Sequence, residues 1–203
     1  MQTKLSTYLL LASLTLLQAC ASTTSVGRAT YDFGLAPAVL APSASTPNLK
    51  LAISLADIST PVVLEGNAMF YRLAYDNVQQ LRPYAAQQWS MPPAQLLNTR
   101  IKSHIVAAGG TVVSVTEGVS DLPILKIELE EFSQVFSNAS NNQAQLSFRA
   151  SLVKKNKLIA QRNFNVSKAA SSADAAGGAR AMQLLTDETI TNMLAWLQSA
   201  TNN

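Results

Sequence analysis

Few residues in this 203-residue chain could do chemistry: one cysteine, Cys20, one histidine, His104, and the carboxylates Glu128, Glu130 and Glu131. A single thiol excludes an intrachain disulfide and any cysteine-built metal site. A single imidazole leaves Ser-His-Asp chemistry with one base and rules out multi-histidine metal centres. The carboxylates have the right type for acid–base work. However, Lys126, Glu128 and Glu130 alternate with Leu125, Ile127 and Leu129, which places them on the polar face of a strand. A solvated sheet face fits them better than a catalytic pair. His104 sits beside the Ile101/Ile105 stripe of a helix, with no G-x-S-x-G motif to supply a nucleophile, and reads as a hydrogen-bonded boundary residue. Gly109-Gly110 and Gly177-Gly178 lack the spacing of a phosphate loop and read as helix punctuation. The chain is therefore expected to be no enzyme, with no cofactor and no metal.

Composition points the same way. Apolar residues make up 48% of the chain and charged residues 13%, enough to build a core and too apolar for a disordered protein. The net charge of +3 is too small and too dispersed to argue for nucleic acid.

Residues 1–19 form an address rather than part of the fold. Lys4 supplies a short positive region, Leu9–Leu17 an apolar stretch too short to span a bilayer, and Ala19 a small residue at its end. The segment Leu17-Gln18-Ala19-Cys20 resembles the lipobox of bacterial lipoproteins, whose cysteine is acylated and becomes the mature N-terminus. By that resemblance Cys20 is the lipidation site. Ala21 and Ser22 follow it, rather than the Asp associated with inner-membrane retention, so the resemblance implies a periplasm-facing anchor in the outer membrane.

Residues 20–48 read as the anchor and a tether, rich in Ser, Thr and Pro. Tyr31–Leu35 is the exception, apolar enough to dock as a short edge strand. From residue 49 onward the pattern predicts one domain over 49–203. Leu49–Leu55 and Met69–Tyr75 alternate as strands, and Leu97, Ile101 and Ile105 mark a helix that starts at Pro92-Pro93 and stops at Gly109-Gly110. Val112–Val115 forms the next strand. Leu125–Phe136 is a strand whose apolar register switches after Glu130-Glu131, which predicts a β-bulge there. Leu146–Leu152 and Leu158–Val166 pair across a Lys154–Lys157 turn. Residues 167–178 read as a loop and about 179–199 as a closing helix. The expected fold is α+β: a single domain with a mostly antiparallel sheet and two helices packed on one face.

Trp89, in a polar run just before the first helix, could staple the helix start or anchor an interface. Packing is the commoner of these roles, and Tyr84 and Trp89 together are the candidate partner surface.

The order of features resembles a known family. A lipobox cysteine precedes Tyr31–Gly34, then Phe70-Tyr71-Arg72, then Tyr84, Trp89 and Pro92 leading into a helix. A Leu129–Phe136 strand carrying Phe132 and Gln134 follows, and a terminal helix ends in Trp196-Leu197. The chain is similar to the ABC-type transport auxiliary lipoproteins, the PqiC-like outer-membrane lipoproteins. The resemblance implies a non-catalytic docking component of an intermembrane lipid transport system. Its partner would be an Mce-domain (MlaD-like) periplasmic protein, and copies of the chain could associate. The alternative class is an assembly or plug partner of an outer-membrane β-barrel or secretion system.

Overall fold

A computed structural model describes residues 27–35 and 49–201; the signal segment, Cys20 and most of the 20–48 stretch lie outside the described residues. Eight strands and two helices follow in the order β1 Ala29–Tyr31, β2 Ala52–Leu55, β3 Ala68–Leu73, β4 Asn77–Trp89, α1 Pro93–Ala107, β5 Thr111–Ser114, β6 Ile124–Phe136, β7 Asn142–Lys154, β8 Lys157–Ala169 and α2 Ala175–Thr201.

The long strand β6 is the spine of the single sheet. One edge pairs antiparallel with β7, which pairs in turn with β8. The other edge is shared by two parallel wings. β2 joins the start of β6 (Leu55 opposite Leu125) and carries β5, whereas β3 joins its end (Tyr71 opposite Gln134) and carries β4 and β1. A lone bridge from Ser59 to Glu128 fills the gap between the wings. The fold is α+β, and its long ladders are antiparallel.

The alternating residues produce the core directly. Leu125, Ile127 and Leu129 on β6 and Leu146, Phe148, Ala150 and Leu152 on β7 face one side. There they meet Leu97, Ile101 and Ile105 of α1 and Met182, Leu185, Ile190 and Met193 of α2 in a single cluster. The β6–β7 register shifts between Leu129 and Glu131, so the bulge falls where the apolar switch placed it. It keeps both Glu130 and Glu131 off the core side while Phe132 turns in. Lys155 and Asn156 both take positive φ at the β7–β8 turn, the geometry that suits a tight hairpin.

Three expectations need correction. The domain begins at β1 rather than at residue 49, because Ala29–Tyr31 pairs with Gln87–Trp89 and Phe33 is buried in the core. A thirteen-residue strand, β4, occupies the polar run before Trp89, where the hydrophobic pattern predicts no element. Finally, α2 starts at Ala175, with β8 running to Ala169, so the loop is much shorter than 167–178. The Asp174 carboxylate accepts the Gly177 N–H at 2.7 Å and caps the helix there.

Candidate functional site

The strongest electrostatic feature joins the two helices. Arg100 leaves α1 only 6% exposed, and its guanidinium grips both Asp187 oxygens from α2, Nε to Oδ1 at 2.6 Å and Nη2 to Oδ2 at 2.7 Å. This two-point geometry is the strongest ion-pair arrangement available to arginine. Arg100 also donates to the Leu35 carbonyl at 2.8 Å, which fixes the end of the first described segment against the helices. Gln183 donates to Asp187 Oδ2 at 2.6 Å, and His104 Nε2 lies 2.9 Å from Oδ1. Burial alone would raise the Asp187 carboxyl. The hydrogen bonds from Arg100 and His104 outweigh it and hold the group well below the usual carboxylate range.

A second network lies under β4. Tyr84 donates its hydroxyl to Gln134 Oε1 at 2.8 Å, while Gln134 Nε2 donates to Asn142 Oδ1 and, at 3.1 Å, to the Asp174 carbonyl. Asn142 in turn donates to the Ser172 carbonyl at 3.2 Å. Gln134 and Asn142 are buried, so this fully paired set ties β4, β6 and β7 to the start of α2. Burial, with Tyr71 and Asp174 nearby, pushes the Tyr84 phenol well above its ordinary range. Gly178 sits against the same group. A Cβ added there would overlap the Gln134 amide, which three partners hold in place. Gly177-Gly178 therefore lies inside the first turns of α2, and close approach to β6 is what requires the glycine. Gly178→Ala is expected to cost about 1–3 kcal/mol, read as a lowered urea midpoint with unchanged slope.

The residues singled out for chemistry take separate places. His104 has Asp187 as its side-chain partner. Glu128 pairs with Arg149, Glu130 accepts from Ser147 at 3.1 Å and Glu131 pairs with Arg72 at 2.9 Å. These carboxylates serve as cross-strand partners on the solvated face. Trp89 is 3% exposed and packs edge-on against Phe132, at 5.4 Å between centroids, and against Phe33 at 6.0 Å. Of the two roles open to it, the packing one is observed, and the ring offers no surface to a partner. Tyr84 is partly exposed, with its hydroxyl directed inward. The pair therefore does not form a continuous docking patch. Cys20 lies outside the described residues. The Arg100–Asp187 clamp is not signalled by any motif; its only sequence traces are an Arg on an apolar helix stripe and an Asp beside the Thr186/Thr189 stripe.

Among the described residues no group of three or more His, Cys, Asp or Glu side chains could hold a metal ion. Nor is any helix among them long and apolar enough to cross a membrane. Fold and site together define an α+β domain whose ionisable groups hold its own elements together. The chain belongs to the family of ABC-type transport auxiliary lipoprotein components, which matches it over residues 31–193, starting within β1. No curated protein matches it. A crystal structure of a Xanthomonas campestris protein shares the fold at 19% identity and a TM-score of 0.67, covering 87% of this chain and 94% of the other. A second, uncharacterized protein matches at 15% identity and a TM-score of 0.67, covering 84% and 99%.

Proposed function

We propose that the protein is a non-catalytic docking component of an ABC-type intermembrane lipid transport system, held on the periplasmic side of the outer membrane by acylation at Cys20. Its partner is an Mce-domain (MlaD-like) periplasmic protein. The observation that carries this reading is the family match from residue 31 to residue 193, preceded by a cysteine in a lipobox-like setting. The site supports it: the charged groups with the best geometry are spent on holding helices and strands together.

The mechanism is positional. Each buried methylene of an acyl chain contributes about 0.8 kcal/mol, so a multiply acylated Cys20 holds the domain at the membrane. β1 is part of the sheet, and Ala29 follows Cys20 by so few residues that a fully extended chain reaches only about 30 Å. The domain is thus kept near one surface, where a high effective concentration lets weak contacts assemble a complex.

Cys20→Ser is expected to abolish labelling by an alkynyl palmitate analogue and to release the protein into the soluble fraction. Native complexes purified from solubilised membranes should contain an Mce-domain protein and an ABC permease. Recovery of a β-barrel protein alone would overturn the transport reading in favour of barrel assembly.

A further inference from the structure

Among the described residues the sheet has three outer strands, and they are not alike. β1 has three residues and β5 has four, whereas β8 has thirteen, or about 40 Å of backbone, and among the described residues it pairs only with β7. A long open edge presents a row of unpaired N–H and C=O groups, and stable proteins blunt such edges with prolines, bulges or dense charge. β8 has no proline. Its one irregularity is the extra residue Ile159, next to the turn, which leaves Ala160–Ala169 regular. Near the same end Leu158 and Ile159 are 59% and 48% exposed.

The edge also runs beside a helix. A groove of about 550 Å³ lies between β8 and α2, lined by Asn163, Asn165 and Val166 on one side and by Asn192 and Trp196 on the other, while Phe164, only 6% exposed, lies sealed beneath it. Phe164 and Trp196 meet edge-on at 6.2 Å. An open strand next to a helix-walled groove is the arrangement by which peptide-binding domains add an extended segment to their sheet: the edge supplies main-chain hydrogen bonds and the groove takes alternate side chains.

Charge selects the occupant. β8 carries Lys157, Arg162 and Lys168 and no carboxylate. Lys168 is already paired with Glu188 at 2.9 Å. Arg162 has no ion pair among the described residues, and its guanidinium lies 5.1 Å from the centre of the Phe164 ring, at the mouth of the groove. Arg162, Phe164 and Val166 follow at intervals of two and so share a face.

We propose that the β8 edge is a docking site for an extended acidic segment of a partner protein. The segment adds as a ninth strand, places a carboxylate opposite Arg162, and sets apolar side chains two and four positions along against Val166 and Trp196. This deepens the docking reading by naming a surface and the chemistry that fits it, and it rests on that reading only in taking the domain as an interaction module.

The probe is the acetylated, amidated peptide Thr-Glu-Thr-Val-Thr-Val-Thr, together with its reversed order, titrated into the full-length protein in detergent micelles. Trp196 emission should shift saturably for one of the two, because Trp89 is sealed in the core, and Trp196→Phe should remove the signal. Alternate amides between residues 160 and 169 should exchange more slowly. Arg162→Glu should weaken binding at least tenfold, and a peptide with lysine in place of glutamate should restore it. N-methylation of alternate peptide amides on one edge should abolish binding with the side chains unchanged. Three results would each overturn the proposal: no saturable shift up to about 1 mM peptide, binding indifferent to N-methylation, or β8 amides already protected by a second copy that Arg162→Glu releases. None of these would touch acylation at Cys20 or co-purification with an Mce-domain protein, so the broader reading stands or falls separately.

Discussion

Asp187→Ala is expected to destabilise the domain by about 2–4 kcal/mol, somewhat less than the loss of one partner from a fully buried ion pair, because Asp187 is itself only partly buried. Arg100 would be the stranded charge. Its guanidinium is nearly sealed from solvent and makes two of its three hydrogen bonds to Asp187. Gln183 and His104 would lose their shared acceptor as well. Urea unfolding at neutral pH measures the loss. The double variant Arg100→Met with Asp187→Leu, which deletes the charges and keeps the volume, should recover most of it. A single variant as stable as the wild type would show that the clamp is solvated in solution.

The same carboxylate gives the fold an acid limit. Its folded pKa is depressed, so it binds a proton less readily folded than unfolded. Its stabilisation is fully present above the unfolded value, about 4, and is lost as pH falls below that toward the folded value. The stability of the wild type should therefore drop below about pH 4, and that of the double variant should drop less steeply.

How much of this was legible in the sequence depended on burial. β6 and β7 bury one face from end to end, and their alternation gave strand, register and even the bulge. β4 buries almost nothing until Trp89. With Arg82 and Pro83 in its middle and Gln at four positions, it had no apolar face for periodicity to record, and its hydrogen bonds to β3, joined at the far end by β1, make it a strand. Pro83 is tolerated because β1 pairs with β4 only from Gln87 to Trp89, so no second neighbour needs its missing N–H. The early start of α2 did leave a trace: Asp174 is a good N-cap, but Gly177-Gly178 immediately after it argued for a loop. Here tertiary contact overrode propensity, since Gly178 is where the helix meets Gln134.

The site was less legible, for a related reason. Helical spacing shows which face a residue is on, so Arg100 among Leu96, Leu97 and Ile101 could have been recognised as a charge that needs a partner. That the partner is Asp187 depends on how α1 packs on α2, which no local pattern states. Tyr84 and Trp89 stood out as large aromatics in a polar run, the usual mark of an interface anchor. Their true neighbours, Gln134 for one and Phe33 and Phe132 for the other, come from distant parts of the chain.

Leu146→Asp is the change expected to do most damage. Leu146 is fully buried at the centre of β7, between Phe132 on β6 and Val166 on β8, with its side chain directed into the helix-covered core. An ionised carboxylate there would lie within the apolar cluster, and the group must either bury its charge or take up a proton at several kcal/mol. Added to the lost leucine packing of about 2–5 kcal/mol, the penalty is comparable with the entire stability of a domain this size. The variant should be largely unfolded at neutral pH by circular dichroism and should be degraded in cells. The neighbouring Gln145 points to the opposite, solvated face and bonds Asn165 there at 2.6 Å. Gln145→Glu should therefore stay within about 0.5 kcal/mol of the wild type. Because side chains alternate along a strand, slipping β7 by one residue would exchange these two outcomes. The pair of variants thus tests the central register on which the groove beside β8 and the seat of α2 both depend.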